Sequence, residues 1–592
     1  MLSSRLLFLS MRGGLILLLN ALAVWTFAAL FPIWCRFPGL GSHLALGGVK
    51  PQSAARADFT GCSNSSLVAM IVIDSKLRFQ TMEGFGSTER VFDDPHLCNC
   101  WDPQRQRGAI IPPAAQQEIM RLIYDNLGLT RVRPATEADV EVINDNNDPE
   151  VTDLTKFNFE WKRNDAHIDY VKQAMAHGVT THFLSPIVLE SWMNESNPQE
   201  YVEWALSILK RWRDQSVEPP FYSIKNEPGY SRGGILSKEY LKTVIKLLGP
   251  KLRAAGLRTK FVITDDLNAA EAYERCSYIL QDPDARQYVG ALAYHLYGGS
   301  STDKNDMKDL GQKYKLPIWM TEWYTPDDFQ WAETIHELIT NYQVSAIDYI
   351  WAFFGEWSET QYPGNTLIGL KFNGLQYQGY TPYKRYYYTG QYSRYVRPGY
   401  IRLQATSDND NIKVTAFAKD NELAVVAINS GPVTLTTFSF AGELIPKSLT
   451  PIRTGPNENW QQLAPLPVSN GQFNMSLPEK SVTTFITDRA LAVDESIQSP
   501  RDPFLGQNYP NPFNPQTEIA FIVKSSNWVA LKIYNQQGQL VRTLVEAKRS
   551  PGEYSIPWNG RDDHGNLLPS GTYFYQLREG NWVATKRAIL LK

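Results

Sequence analysis

The stretch YSIKNEPGY, residues 222–230, decides how this chain is read. Tyr222-Ser223-Ile224-Lys225 has the aromatic and β-branched residues of a short buried strand ahead of a polar break. Pro228 has no amide hydrogen for a central ladder, so the strand stops and leaves Glu227 at its carboxyl end. Alone, such a glutamate is as readily a surface residue in an ordinary turn. IWMTEWYT, residues 318–325, repeats the pattern: an apolar strand closing on Glu322. Two strand-end carboxylates in a repeating chain are what glycoside hydrolysis requires, one as acid/base and one as nucleophile or second base.

Outward from these two stretches the pattern is regular. Strand-like runs reach Gly86 (opening GFGSTE) and Arg133 (in LGLTRVRPATE), and others span residues 181–186, 260–266, 291–299 and 347–354. Helical spacing falls between them, over residues 113–126, 165–176, 198–213, 237–255, 269–280, 302–314 and 329–341. With the Glu227 and Glu322 strands the count is eight. The expected fold class is therefore α/β, a TIM (β/α)8 barrel with Glu227 after strand four and Glu322 after strand seven. The carboxyl ends of barrel strands form the catalytic face.

The whole chain has 592 residues, 43% hydrophobic and 20% charged, enough for several domains with substantial cores. A formal net charge of −3 carries no electrostatic footprint for nucleic acid. The 16 Trp and 30 Tyr suit sugar clefts, although large cores and β-domains account for most of them. Arg5 and Arg12 precede an apolar run over residues 13–35, read as a secretory signal or as an uncleaved membrane anchor. Pro32, Ile33 and Trp34 are too large for a lipoprotein cleavage site at Cys35. In an exported chain Cys62, Cys98 and Cys100 permit a disulfide, most simply Cys62 with one of the other two. Their spacing does not suit a metal site, and no metal or cofactor is expected.

In order, GFGSTE, RVRP, SPIVLESWM, IKNEP, YHLYG, WMTEW and IWAFF resemble the clan A retaining glycosidases, and within them glycoside hydrolase family 30. The likeness runs over about residues 67–488. It implies that Glu227 is the acid/base and Glu322 the nucleophile. It further implies that Asn226 binds the sugar 2-hydroxyl, that Arg133 keeps the nucleophile ionised and that Tyr297 hydrogen-bonds Glu322. His295 would line the cleft, with Trp192 and Trp351 offering aromatic faces to sugar rings.

Residues 384–403 resemble the family's last helix entering a side β-domain, to which a strand from before the barrel, residues 67–74, would also belong. NYPNPFNP, WNGRDDHG and SGTYFY resemble the immunoglobulin-like domain related to the flagellar-hook-capping protein and to type IX secretion sorting signals. The expected order is a leader or anchor (1–57), the barrel (58–395, with 67–79 joining the side domain), a side β-sandwich (396–488), a linker (489–505) and a C-terminal all-β immunoglobulin-like domain (506–592). That places the protein outside a bacterial cell, handled by secretion machinery. IKNEPGY and the short YHLYGG resemble the xylan-active branch, but FFGEW after strand eight lacks the Arg-Tyr clamp expected for a glucuronic acid side group. Xylan or glucuronoxylan is the first substrate expected and a β-glucan or β-glucoside the second. A non-catalytic glycan-binding protein is the reading of another class.

Overall fold

Arg131–Arg133, the second barrel strand, places Arg131 and Arg133 on the same face because strand side chains alternate. That face is the barrel interior. In the computed structural model, Arg131 is buried low in the barrel, with Nε and one terminal nitrogen each 3.0 Å from the Asp348 carboxylate. Its guanidinium lies 4.1 Å from the Trp319 ring centre. Phe183, Val262, Ala291, Ala293, Trp319 and Ala346 form the apolar layer there. A Cβ at Gly86 would fall on the Asp348 carboxylate and the Arg131 side chain, which is why the first strand carries glycine at this position.

The structure describes residues 68–487 and 504–591, apart from positions 103, 105, 106, 137–139, 160–163, 231–233, 507, 509, 510, 524–526, 550 and 551. The leader or anchor (1–57), Cys62 and nearly all of the linker lie outside the described residues. Among the described residues no helix is long and apolar enough to cross a membrane.

The barrel is closed and wholly parallel. Its strands are Gly84–Thr88, Arg131–Arg133, Thr181–Pro186, Phe221–Tyr222, Lys260–Asp266, Val289–Tyr294, Ile318–Met320 and Ala346–Tyr349, each paired with the next and the last with the first. Helices Asn164–Ala176, Pro198–Asp214, Lys238–Ala254, Ala269–Gln281, Ser301–Tyr314 and Asp328–Asn341 stand within a residue or two of the periodicity reading. Ser237 caps one, accepting from the Tyr240 amide, and Ser300 with Asp303 forms a capping box on another.

Three local readings need correction. The strand before Glu227 is ladder-paired only at Phe221–Tyr222, because Ser223 turns its hydroxyl to the Lys225 carbonyl and the backbone bends. The eighth strand divides: Ala346–Tyr349 stays in the barrel, while Trp351–Gly355 leaves to join the hairpin Thr366–Asn373 and Gln376–Pro382. The disulfide joins Cys98 to Cys100, not Cys62 to either. Asn99 between them adopts the left-handed conformation (φ 49°), which turns the two cysteines toward each other.

Val68–Thr81 precedes the barrel but belongs to the side sheet, antiparallel to Ile401–Ser407 and parallel to Thr434–Ala441. Ala69, Ile71 and Ile73 alternate into that sheet's core with Phe438, Phe473 and Phe485. The sheet has ten strands and curls, and its other face, with Phe417, Val426, Ile452 and Ile486, joins the barrel's apolar core. Helix Lys384–Ser393 is the seam: Gln391 donates to Thr454 Oγ1 at 2.8 Å and its carbonyl accepts from Thr484 at 2.7 Å. The C-terminal unit is separately all-β, with sheets of three and four antiparallel strands around Phe513, Val529, Leu531, Trp558 and Tyr575. Buried Tyr575 donates to the Gly506 carbonyl at 2.8 Å and accepts from the Asn508 amide at 2.7 Å, tying the unit's first residues to its core.

Candidate active site

The residues that follow barrel strands four to seven meet at one rim. The Asn226 amide donates to the Pro186 carbonyl at 2.8 Å and that of Glu227 to the Asp265 carbonyl at 2.9 Å, so strand five steadies the strand-four turn. Glu227 (φ 52°) and Asp265 (φ 59°) both sit in the left-handed region, a strain of roughly 1–3 kcal/mol each that surrounding contacts must offset. Part of that support comes from Lys225, whose Nζ donates to the carbonyls of Glu227 at 3.0 Å and Asn226 at 3.1 Å. Asp266, one residue beyond Asp265, accepts from the Gly229 amide at 3.3 Å and pairs with Arg275 at 3.2 Å.

Arg133 organises the side chains. One terminal nitrogen lies 2.7 Å from Glu322 Oε2 and 3.1 Å from Thr88 Oγ1. The other donates to Asp265 Oδ2 at 2.8 Å and to Asn226 Oδ1. Tyr297 donates to the second Glu322 oxygen at 3.1 Å. His295 places Nδ1 2.9 Å from Glu227 Oε1 and Nε2 3.3 Å from Asp265 Oδ1. Asp265 also accepts from Ser185 at 2.7 Å and from Thr321 at 2.5 Å. Glu227, His295 and Glu322 each present an atom within 4.8 Å of the other two, so the two glutamates face one another across a short gap.

The electrostatics follow from this packing. Burial by itself would push His295 down, but Glu322 nearby and the bonds to Asp265 and Glu227 outweigh it and raise the imidazole to about 10. Burial opposes ionisation of Asp265 too, yet Arg133, His295 and Thr321 hold it well below the usual carboxylate range. Burial beside Glu322 keeps the Tyr297 phenol well above its ordinary value, a neutral donor. With its proton held, His295 donates from both ring nitrogens, to Glu227 and to Asp265.

Arg133, Asn226, Glu227, His295, Tyr297 and Glu322 thus share one network, while Trp192 and Trp351 make none of its contacts among the described residues. Trp192 is half-buried and donates to the Glu141 carbonyl at 2.7 Å; Trp351 is half-buried and stacks on Phe354 at 4.1 Å. His295, expected on the cleft wall, is wholly buried behind Glu227. Asp265, Ser185, Thr88 and Thr321 were not singled out from the sequence. Their signal was present: each is a polar residue at the carboxyl end of a strand whose body is apolar.

Comparison with known proteins agrees with this architecture. The FlgD Ig-like domain model matches residues 513–581. Glucuronoxylanase XynC of Bacillus subtilis is 29% identical over 231 residues, covering 36% of this chain and 49% of the relative. Putative glucosylceramidase 1 of Caenorhabditis elegans is 23% identical over 434 residues, covering 62% of this chain and 77% of the relative. The chain spans about half the length of the glucuronoxylanases it matches. A GH30 endoxylanase structure from Clostridium papyrosolvens C71 superposes with a TM-score of 0.55 at 22% identity, over 70% of this chain and 99% of that one. The TIM barrel with its side sheet is thus similar in fold to that GH30 endoxylanase, and the C-terminal unit carries the match to the FlgD Ig-like domain.

Proposed function

We propose that this chain is a secreted or cell-surface bacterial β-glycoside hydrolase that cleaves a β-linked polysaccharide, xylan or glucuronoxylan first, with retention of configuration. The observation that carries the reading is the Glu227–Glu322 pair, with oxygens within 4.8 Å and separate partners for each carboxylate. Retaining enzymes hold their carboxyl groups about 5–5.5 Å apart, too close for a water to attack between them.

Glu322 is the nucleophile in this scheme. Arg133 and Tyr297 hold its two oxygens and aim it at the anomeric carbon. Glu227 is the acid/base: His295 occupies Oε1, so the transferable proton belongs on Oε2, toward the leaving oxygen. Arg133 takes the Asn226 carbonyl oxygen and so turns its NH2 toward the sugar 2-hydroxyl, a contact that strengthens in the transition state. Leaving-group departure and Glu322 attack give a glycosyl-enzyme, which water resolves with Glu227 now acting as base. Trp192 and Trp351 are proposed as platforms flanking this centre.

The xylan assignment rests on the glucuronoxylanase relatives and on IKNEPGY and YHLYGG. A β-glucan or β-glucoside is the second reading, favoured by the longer match to the putative glucosylceramidase. The C-terminal domain serves as the address read by the secretion machinery. Proton NMR of early products, taken before mutarotation on a panel of purified glycans, tests both parts. The β-anomer of xylo-oligosaccharides should appear first. An α-anomer would remove the double displacement, and activity confined to β-glucans would move the substrate.

A further inference from the structure

We propose that Asp145, Glu200 and Glu203 form a structural Ca2+ site that pins the acidic loop after barrel strand two to the start of helix Pro198–Asp214. These three carboxylates present oxygens within 4.8 Å of one another. Glu200 is 3% exposed and Glu203 6%. Among the described residues, neither Glu200 oxygen has a hydrogen-bond partner, and one oxygen each of Glu203 and Asp145 is equally buried and unpartnered. This arrangement shares no residue with the Glu227–Glu322 network.

A buried carboxylate without partners is costly, and three facing one another cost more. Thr152 bonds Glu203 and Lys251 attracts it, but Lys251 is itself committed to Glu150 at 2.6 Å and neither group reaches the two bare oxygens of Glu200. The helix N-terminus favours Glu200 and Glu203 but supplies only about half a charge. Either protons or a cation must occupy such a place.

The donors are all carboxylate oxygens, with no imidazole or thiolate, which selects a hard cation. Donors on opposite sides of Ca2+ at about 2.4 Å sit about 4.8 Å apart, and Ca2+ tolerates irregular shells that Mg2+ does not. Glu200 and Glu203 are one helical turn apart and share a face. Asp145 arrives from the loop, its other oxygen accepting from the Asp153 amide and its own amide bonded to Glu141 at 2.7 Å. The Glu141 carbonyl in turn holds the Trp192 indole, so the cation would brace the loop on which that aromatic rests.

The test uses the full chain stripped with chelator and returned to buffer. Ca2+ titration by calorimetry and by thermal unfolding, up to about 10 mM, should show one-to-one binding and a melting temperature raised by several degrees, with Mg2+ much weaker. Tb3+ should bind with luminescence sensitised by tryptophan and be displaced by Ca2+. Asp145→Asn and Glu200→Gln, made separately, should each weaken Ca2+ binding at least tenfold. A wild-type chain that neither binds Ca2+ in this range nor melts higher with it overturns the proposal. So does a Glu200→Gln protein that melts above the wild type in chelator while the wild type ignores Ca2+, the behaviour of a protonated cluster.

Discussion

Asp265 touches neither of the facing glutamates by its side chain, yet it positions both. It anchors Arg133 from below Glu322 and His295 from behind Glu227. The two glutamates are asymmetric for this reason: one is held by a permanent cation and a phenol, the other by an imidazolium. Glu322→Gln should lower turnover of an activated aryl glycoside by several orders of magnitude with the circular dichroism unchanged. Glu227→Ala should be rescued by azide, because the glycosyl-enzyme still forms on Glu322. Azide rescue of Glu322→Ala with inverted product would exchange the two roles. His295 sets a pH dependence whose sign follows from its raised value. Stabilisation by the bound proton is complete below the ordinary imidazole value of about 6.5 and is lost as pH climbs toward about 10. Asp265, held far below this window, does not titrate in it. The melting-temperature advantage of the wild type over His295→Gln should therefore shrink between pH 6.5 and 10. An advantage that stays constant across that window would show a neutral His295.

At the scale of elements, the strand Val68–Thr81 is the most consequential. It lies inside the side sheet, between Ile401–Ser407 and Thr434–Ala441, so its removal would leave two open edges and expose the core around Phe438 and Phe473. A chain beginning at Met82 should be insoluble on expression although every barrel strand is retained, whereas one beginning at Ser66 should be soluble. Equal solubility of the two would mean the side sheet closes without this strand. The helices were legible because each repeats an apolar face and several carry capping residues. The split of the eighth strand was not. IDYIWAFF is continuously apolar, and only the hairpin Thr366–Asn373 with Gln376–Pro382 draws its second half out of the barrel. Strand four is short for a different reason: the Ser223 hydroxyl bonds the Lys225 carbonyl, and Lys225 Nζ bonds the carbonyls of Asn226 and Glu227.

For the whole molecule, the C-terminal unit has its own apolar core, and among the described residues its sheets pair only within residues 504–590. A chain ending at residue 488 should thus fold and keep its specific activity on soluble glycan, yet fail to reach the surface of its host. Loss of turnover in that truncation would show that the tail shapes the cleft. The alternation of strand and helix and the two carboxylate-bearing strand ends were set by the sequence itself. Apolar periodicity, prolines and strand-end polar residues act over a few neighbours, and a chain carries such local rules openly. The partners of those residues were decided only by the tertiary structure. Arg133 meets Asp265 across 132 positions, and Asp145 meets Glu200 across a separate loop and helix. Cys98 finds Cys100 because one residue between them turns left-handed. Such pairings depend on which strand ends face each other when the barrel closes, a geometry to which every strand contributes and which no single stretch encodes.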